Sequence, residues 1–182
     1  MNTTSEETLQ AWLAREAEVR ATQLPPGVAS IDEIRQRTGL ELLQGLMSGD
    51  MPSVAMGHSL DFLLVEASAG RAVFQGTPSE KFLNPMGTLH GGWFSSLLDS
   101  ALACAVQSLV PAGRGYTTAE LHVNLIKAVT PKIARVRAIG EIIHCGRQLA
   151  SAQARLVGPD GTLYAHATTT CLIFDLPEKS HR

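Results

Sequence analysis

Three cysteines in 182 residues, Cys104, Cys145 and Cys171, are too few and too scattered for a disulfide framework. No C-x-x-C pair occurs, so the chain reads as one with buried thiols in a reducing compartment. An excess of one charge is also missing, since the net charge is −2. That balance offers no basic footprint for nucleic acid and none for an anionic membrane surface. There is no GxxxxGK[ST] and no GxGxxG, which argues against nucleotide hydrolysis and dinucleotide redox chemistry. The G-x-S-x-G elbow of serine esterases is absent too. His58, His122, His144 and His166 lack ligand spacing, so no metal is expected. The first twenty residues carry acids where a signal peptide needs basic and then apolar ones, so a cytoplasmic location is expected.

A long apolar run is present, from Gly91 to Val110, with Asp99 as its single charge. It approaches the length of a membrane span. It also holds four serines and a glutamine, and a central Asp alone costs about 2.5–3.5 kcal/mol on insertion scales. A helix buried inside a globular domain is the expectation, with no membrane partner. The composition, 45% hydrophobic and 18% charged, suits such a domain.

Residues 4–23 read as an amphipathic helix. Thr4 and Glu7 are placed for a capping box, with a stripe of Leu9, Trp12, Leu13 and Ala17. Pro25-Pro26-Gly27 ends it. A second helical stretch follows, with a Ser30/Glu33 capping box and an interruption expected at Gly39. From about residue 59 the period changes to two. Segments 61–67 and 70–78 read as a hairpin turning at Ala69-Gly70. The apolar helix comes next, from Gly91 to about Leu109. Four strand-like segments follow at 117–127, 133–144, 148–157 and 162–174. Their short connections force antiparallel neighbours. Alanines dominate the inward positions of the late strands, which lets a wide apolar helix lie close to the sheet. Strict alternation puts Ala119, Leu121, Val123 and Leu125 inward and Thr118 with Glu120 and His122 outward. Trp93, Phe94 and Leu97 read either as core or as an acyl pocket.

Gly91 and Gly92 open the apolar helix. The first helical turn has N–H groups without internal partners and partial positive charge. Glycine leaves them uncovered, which is the geometry of an oxyanion hole. Asp99 is an acid among apolar residues, and burial raises its pKa unless something donates to it. Eight residues separate Gly91 from Asp99, about 12 Å along the axis. One carbonyl cannot touch both groups of the same helix. A shared role therefore requires two antiparallel copies of the chain, with each glycine turn facing the other's Asp99.

The order Asn84-Pro85-Met86-Gly87, His90-Gly91-Gly92, Leu98-Asp99-Ser100-Ala101 resembles hotdog-fold acyl-CoA thioesterases of the phenylacetate-degradation (PaaI-like) type. "TTAELHVNLIKAV", "IIHCGRQLASAQA" and "LYAHATTTCLIF" extend the likeness over about residues 55–175. The resemblance implies an α+β hotdog fold, an antiparallel sheet of five or six strands wrapped around a long central helix. It implies a hotdog domain over 51–178 behind an N-terminal helical extension, 1–50. It implies thioester hydrolysis to free acid and CoA, with the Gly91 N–H polarising the carbonyl and Asn84 assisting. Asp99 would act as general base or nucleophile toward water, and Thr118 would place that water. Gly146-Arg147 matches a turn that meets CoA phosphates, although Arg147 also reads as a solvated hairpin charge. His90 reads either as a base or as a residue that holds the loop. Asn84 reads either as a turn residue or as a site residue. No cofactor is implied, CoA being part of the substrate, and a homodimer or homotetramer is. Two alternatives stay open: a non-catalytic acyl-CoA-binding module, and an acyl-CoA hydratase on the same fold. The latter class places its His and acid in a loop pattern not found here.

Overall fold

Period-two segments after residue 61 become strands, and the apolar run becomes the helix they enclose. The computed structural model describes residues 3–177; Met1, Asn2 and the expected domain end at 178 lie outside them. The helices are α1 (Thr3–Thr22), α2 (Ile31–Gln36), α3 (Gly39–Ser48), α4 (Ala55–Leu60) and α5 (Gly91–Gln107). The short strands β1 (Leu24–Pro26) and β2 (Pro52–Ser53) pair in parallel. The main sheet contains β3 (Phe62–Ser68), β4 (Arg71–Gly76), β5 (Arg114–Leu125), β6 (Val136–Cys145), β7 (Leu149–Val157) and β8 (Leu163–Asp175). Its order is β3-β4-β6-β7-β8-β5, and every neighbour is antiparallel. This is the six-stranded sheet around a central helix that the resemblance implies.

The alanine-lined inner face explains how α5 fits. Ala138, Ala150, Ala152, Ala154, Ala165 and Ala167 are buried under it. A Cβ at Gly140 would overlap the Ala101 carbonyl oxygen, so backbone meets backbone there. Trp93, Phe94 and Leu97 are core residues, each nearly inaccessible. Full burial of a Leu or Phe contributes roughly 1.5–3 kcal/mol, and α5 carries several such residues. Its Trp93 indole N–H donates to the Leu60 carbonyl at 2.8 Å, so the ring is buried without losing a hydrogen bond.

Several expectations need correction. The interruption between α2 and α3 falls at Arg37-Thr38, not at Gly39. Thr38 and Glu41 form a second capping box that starts α3. Gly39 is small because a Cβ there would overlap the Gln107 carbonyl. Thr4 lies inside α1 rather than capping it. Ala17 is exposed, and the buried face of α1 is Ser5, Leu9, Glu16 and Val19. The helix α4 is not foreseen by the sequence, because six residues show no period. In β5 the strict alternation fails. The register slips between Thr118 and Glu120, and Ala119 is left exposed at a bulge. Thr118 pairs with Cys171, Leu121 with Thr169 and Val123 with Ala167, all three partners being buried. The extra residue therefore turns Thr118 inward, toward α5.

On the outer face of the sheet, α1 lies against β3 and β4. Val19 packs on Leu63, Val65 and Val73. Beside it Glu16 accepts from Arg20 at 2.8 Å, from Gln75 at 2.7 Å and from Arg135 at 2.6 Å. Burial works against its charge, but these three donors outweigh it and hold the Glu16 carboxyl below the ordinary carboxylate value. Arg137 continues the network to Gln75 and Glu66 and lies 4.6 Å from the Trp12 ring centre.

Candidate active site

His90 is the N-cap of α5, and its Nδ1 accepts the Gly92 N–H at 2.9 Å. An accepting Nδ1 carries no proton, so the neutral ring holds its proton on Nε2. Of the two glycine amides, only that of Gly91 is left bare: among the described residues no acceptor pairs with it. A Cβ on Gly91 would touch Leu125 at the end of β5. Ahead of the helix, Leu83 and Leu89 bridge the base of a small loop. The Asn84 Oδ1 accepts from Met86 N–H (2.9 Å) and Thr88 N–H (3.3 Å), and its Nδ2 donates to the Thr88 hydroxyl (2.8 Å). Asn84 is thus committed to shaping the loop that presents His90.

Two turns further along α5, Asp99 is half-buried and accepts from the Thr118 hydroxyl, Oγ1 to Oδ1, at 3.1 Å. No Lys or Arg forms an ion pair with it among the described residues. The bulge at Ala119 makes this contact available to Thr118. Asp99 opens on a cavity of about 280 Å³ that Cys104 and Tyr116 also line. Burial pushes the Cys104 thiol up to about 12, with the nearby Asp99 carboxylate adding to it. Tyr116 is likewise raised well above its ordinary value, chiefly by burial. Both groups are therefore neutral at physiological pH.

His90 and Gly92 face elsewhere, onto an open groove with Phe82, Leu83 and Ser96. Within one chain, then, the structure joins Asp99 with Thr118 and His90 with the glycine turn, but it does not join the two pairs. Gly146 and Arg147 border neither cavity. Their turn is closed by the Gly146 N–H on the Leu149 carbonyl at 2.9 Å, and Arg147 is exposed. The sequence reading missed the wall opposite Asp99. It comes from residues 46–58, where no period or motif marks them. Tyr116 and Cys104 were also missed, although the phase of β5 and the face of α5 carry them. No cluster of three His, Cys, Asp or Glu suited to a metal occurs among the described residues.

Residues 86–165 match the family model of the thioesterase superfamily. Solved structures agree. A thioesterase family protein from Silicibacter pomeroyi is 25% identical with a TM-score of 0.62, covering 67% of this chain and 90% of its own. A variant of the phenylacetic acid degradation protein PaaI from Thermus thermophilus is 25% identical with a TM-score of 0.58, covering 64% and 96%. A phenylacetic acid degradation-related protein from Ralstonia eutropha, 24% identical with a TM-score of 0.65 over 75% and 99%, shows the same fold. No protein of curated function matches. The class is thus the hotdog fold, α5 being its central helix. Residues 86–165 are similar to the thioesterase superfamily, and the PaaI-like resemblance holds. No described helix is long and apolar enough to cross a membrane.

Proposed function

We propose that the protein hydrolyses an acyl-CoA thioester, with water, to the free acid and CoA. The observation that carries this is the unequal treatment of α5's polar groups. One amide, that of Gly91, is left without an acceptor, and one acid, Asp99, is held by a neutral hydroxyl alone. A thioester carbonyl oxygen placed on the Gly91 N–H gains a donor where charge develops. Asp99, aimed by Thr118, takes a proton from the attacking water or attacks the carbonyl carbon itself, and the thiol leaves as CoA. His90 positions the turn, drawing off the Gly92 amide, and Asn84 positions His90's loop. Arg147 on the Gly146 turn suits contact with CoA phosphates, being exposed and carrying a planar fork of donors.

The two halves of the site come from two subunits. The axial separation of about 12 Å between Gly91 and Asp99 excludes one carbonyl touching both on one helix. The unpaired edge of β5 supports the association, since Leu125 and Ile126 are each 55% exposed there. A homodimer satisfies the site, and a tetramer would pair two such dimers. Three unpaired cysteines fit a reducing, cytoplasmic setting.

Subunit mixing is the test. Gly91→Pro removes the N–H at a first helical position, where proline is welcome, and adds a ring beside the flexible end of Leu125. Gly91→Pro and Asp99→Asn homodimers should each release little thiol from a panel of acyl-CoAs. Co-refolded, their heterodimers regain one intact site in two, so activity returns to about a quarter of wild type. No recovery, with both proteins folded, defeats the shared site. Tight acyl-CoA binding by wild type with no release would favour a binding module.

A further inference from the structure

The sheet and α5 span residues 62–175, and α3 and α4 precede β3 in the chain. Those helices wall the cavity on which Asp99 opens. Leu46 of α3 and Val54 and Met56 at α4 line it from one side, and Phe62, Phe74 and Tyr116 from the other. We propose that this wall fixes the acyl specificity, admitting an apolar acyl group of medium length and closing against long chains. The inference rests on the thioesterase reading above.

Three observations point the same way. First, Val54 and Met56 line the cavity and are each 51% exposed. Apolar area left open inside a concavity is what an apolar ligand covers. Second, the wall is fixed rather than loose. The Ser53 hydroxyl and His58 Nε2 lie 2.9 Å apart, stapling the turn that carries Val54 and Met56. Asp61, which ends α4, accepts from Arg20 of α1 at 2.9 Å. Arg20 is in turn tied to the buried Glu16. A fixed wall discriminates by size in a way a mobile one cannot. Third, the volume sets a limit. A methylene occupies close to the volume of a liquid water, about 30 Å³. A space of about 280 Å³ then holds roughly nine carbons. Hexanoyl to decanoyl groups match that volume, and a palmitoyl chain exceeds it.

The experiment is a chain-length profile, kcat/KM for butyryl- to palmitoyl-CoA, on wild type, Met56→Trp and Met56→Ala. In parallel, calorimetry measures the binding of the free octanoate and decanoate anions, which needs no turnover. Wild type should peak between six and ten carbons and fall at least tenfold for palmitoyl-CoA. Met56→Trp should lower the decanoyl-to-butyryl ratio at least tenfold and weaken decanoate binding as much. Met56→Ala should move the optimum toward longer chains, which a merely unfolded protein would not do. Identical profiles in all three proteins, or a wild-type optimum at palmitoyl, overturn the proposal. If wild type turns over nothing, the thioesterase reading fails alone, and decanoate binding decides the pocket. Binding that Met56→Trp weakens keeps the pocket assignment, and binding that it leaves untouched, or no binding, removes it.

Discussion

Two helices of this protein each sink a carboxylate against the sheet, and they treat it in opposite ways. On α1, Glu16 is nearly inaccessible and surrounded by Arg20, Arg135 and Gln75. On α5, Asp99 has one neutral donor, Thr118, and an opening to a cavity. A carboxylate saturated by cations has no lone pair to offer and serves the fold. A carboxylate held by one hydroxyl keeps an oxygen free for chemistry, at some cost in stability. The contrast supports the role proposed for Asp99 without reference to relatives.

Exchanging each acid for its amide should break the comparison apart. Asp99→Asn is expected to lower thiol release about 10³-fold, close to 4 kcal/mol of barrier, with little change in unfolding midpoint. Glu16→Gln should do the reverse, costing about 3 kcal/mol of stability because two arginines lose their buried partner, while the folded fraction keeps its rate. Denaturant titration and initial rates on both variants check this together. The acid limb adds a sign. Folded Glu16 binds its proton less readily than in the unfolded chain. Its stabilisation is therefore complete above the ordinary carboxylate value and lost as pH falls through the lower folded value. In Glu16→Gln that acid loss should flatten. A rate loss in Glu16→Gln as large as in Asp99→Asn would erase the distinction.

The two acids were also unequally legible. Asp99 stood out because the run from Gly91 to Val110 has no other charge. Glu16 sits among polar residues in a helix whose pattern favoured Leu9, Trp12, Leu13 and Ala17, and only tertiary contact with Gln75 and Arg135 makes it a buried residue. The pairings β3-β4, β6-β7 and β7-β8 follow from alternation and short turns, whereas β4-β6 and β5-β8 do not, since β5 and β6 are consecutive yet not neighbours; the alanines on β7 and β8 foretold the close approach of α5. Alternation fails where a bulge inserts one residue, at Ala119, and a bulge leaves no mark in composition. For the same reason the aim of Thr118 could not be read before the register with β8 was known. The cavity wall at 46–58 was illegible for another reason: a short helix and a two-residue strand have no period to detect.

The bulge yields a smaller prediction. Thr118→Val keeps the shape and removes the donor to Asp99. About tenfold in kcat, roughly 1.4 kcal/mol, should be lost with KM little changed. Thr118→Ser keeps the hydroxyl and should recover most of it. A Val variant as active as wild type would mean that Asp99 needs no aiming, and the inward turn of β5 would then be packing alone.

The smallest effect concerns what an uncompensated charge does to its neighbours. Glu16's field is absorbed by the arginines that touch it. Asp99 has no such partner, and its charge adds to burial in raising Cys104, Tyr116 and Cys171 alike. Cys104 can therefore report on Asp99. In wild type the exposed Cys145 should react first with an alkylating reagent, while Cys104, raised to about 12, stays a thiol and reacts slowly. Burial is the larger cause and persists in Asp99→Asn, so Cys104 should speed up only modestly there, severalfold at about pH 9 by peptide mass mapping. The neutral variant Glu16→Gln should leave Cys104 unchanged. Equal labelling of Cys104 in wild type and Asp99→Asn would mean that another group neutralises Asp99, and the acid would then be paired in the way that Glu16 is.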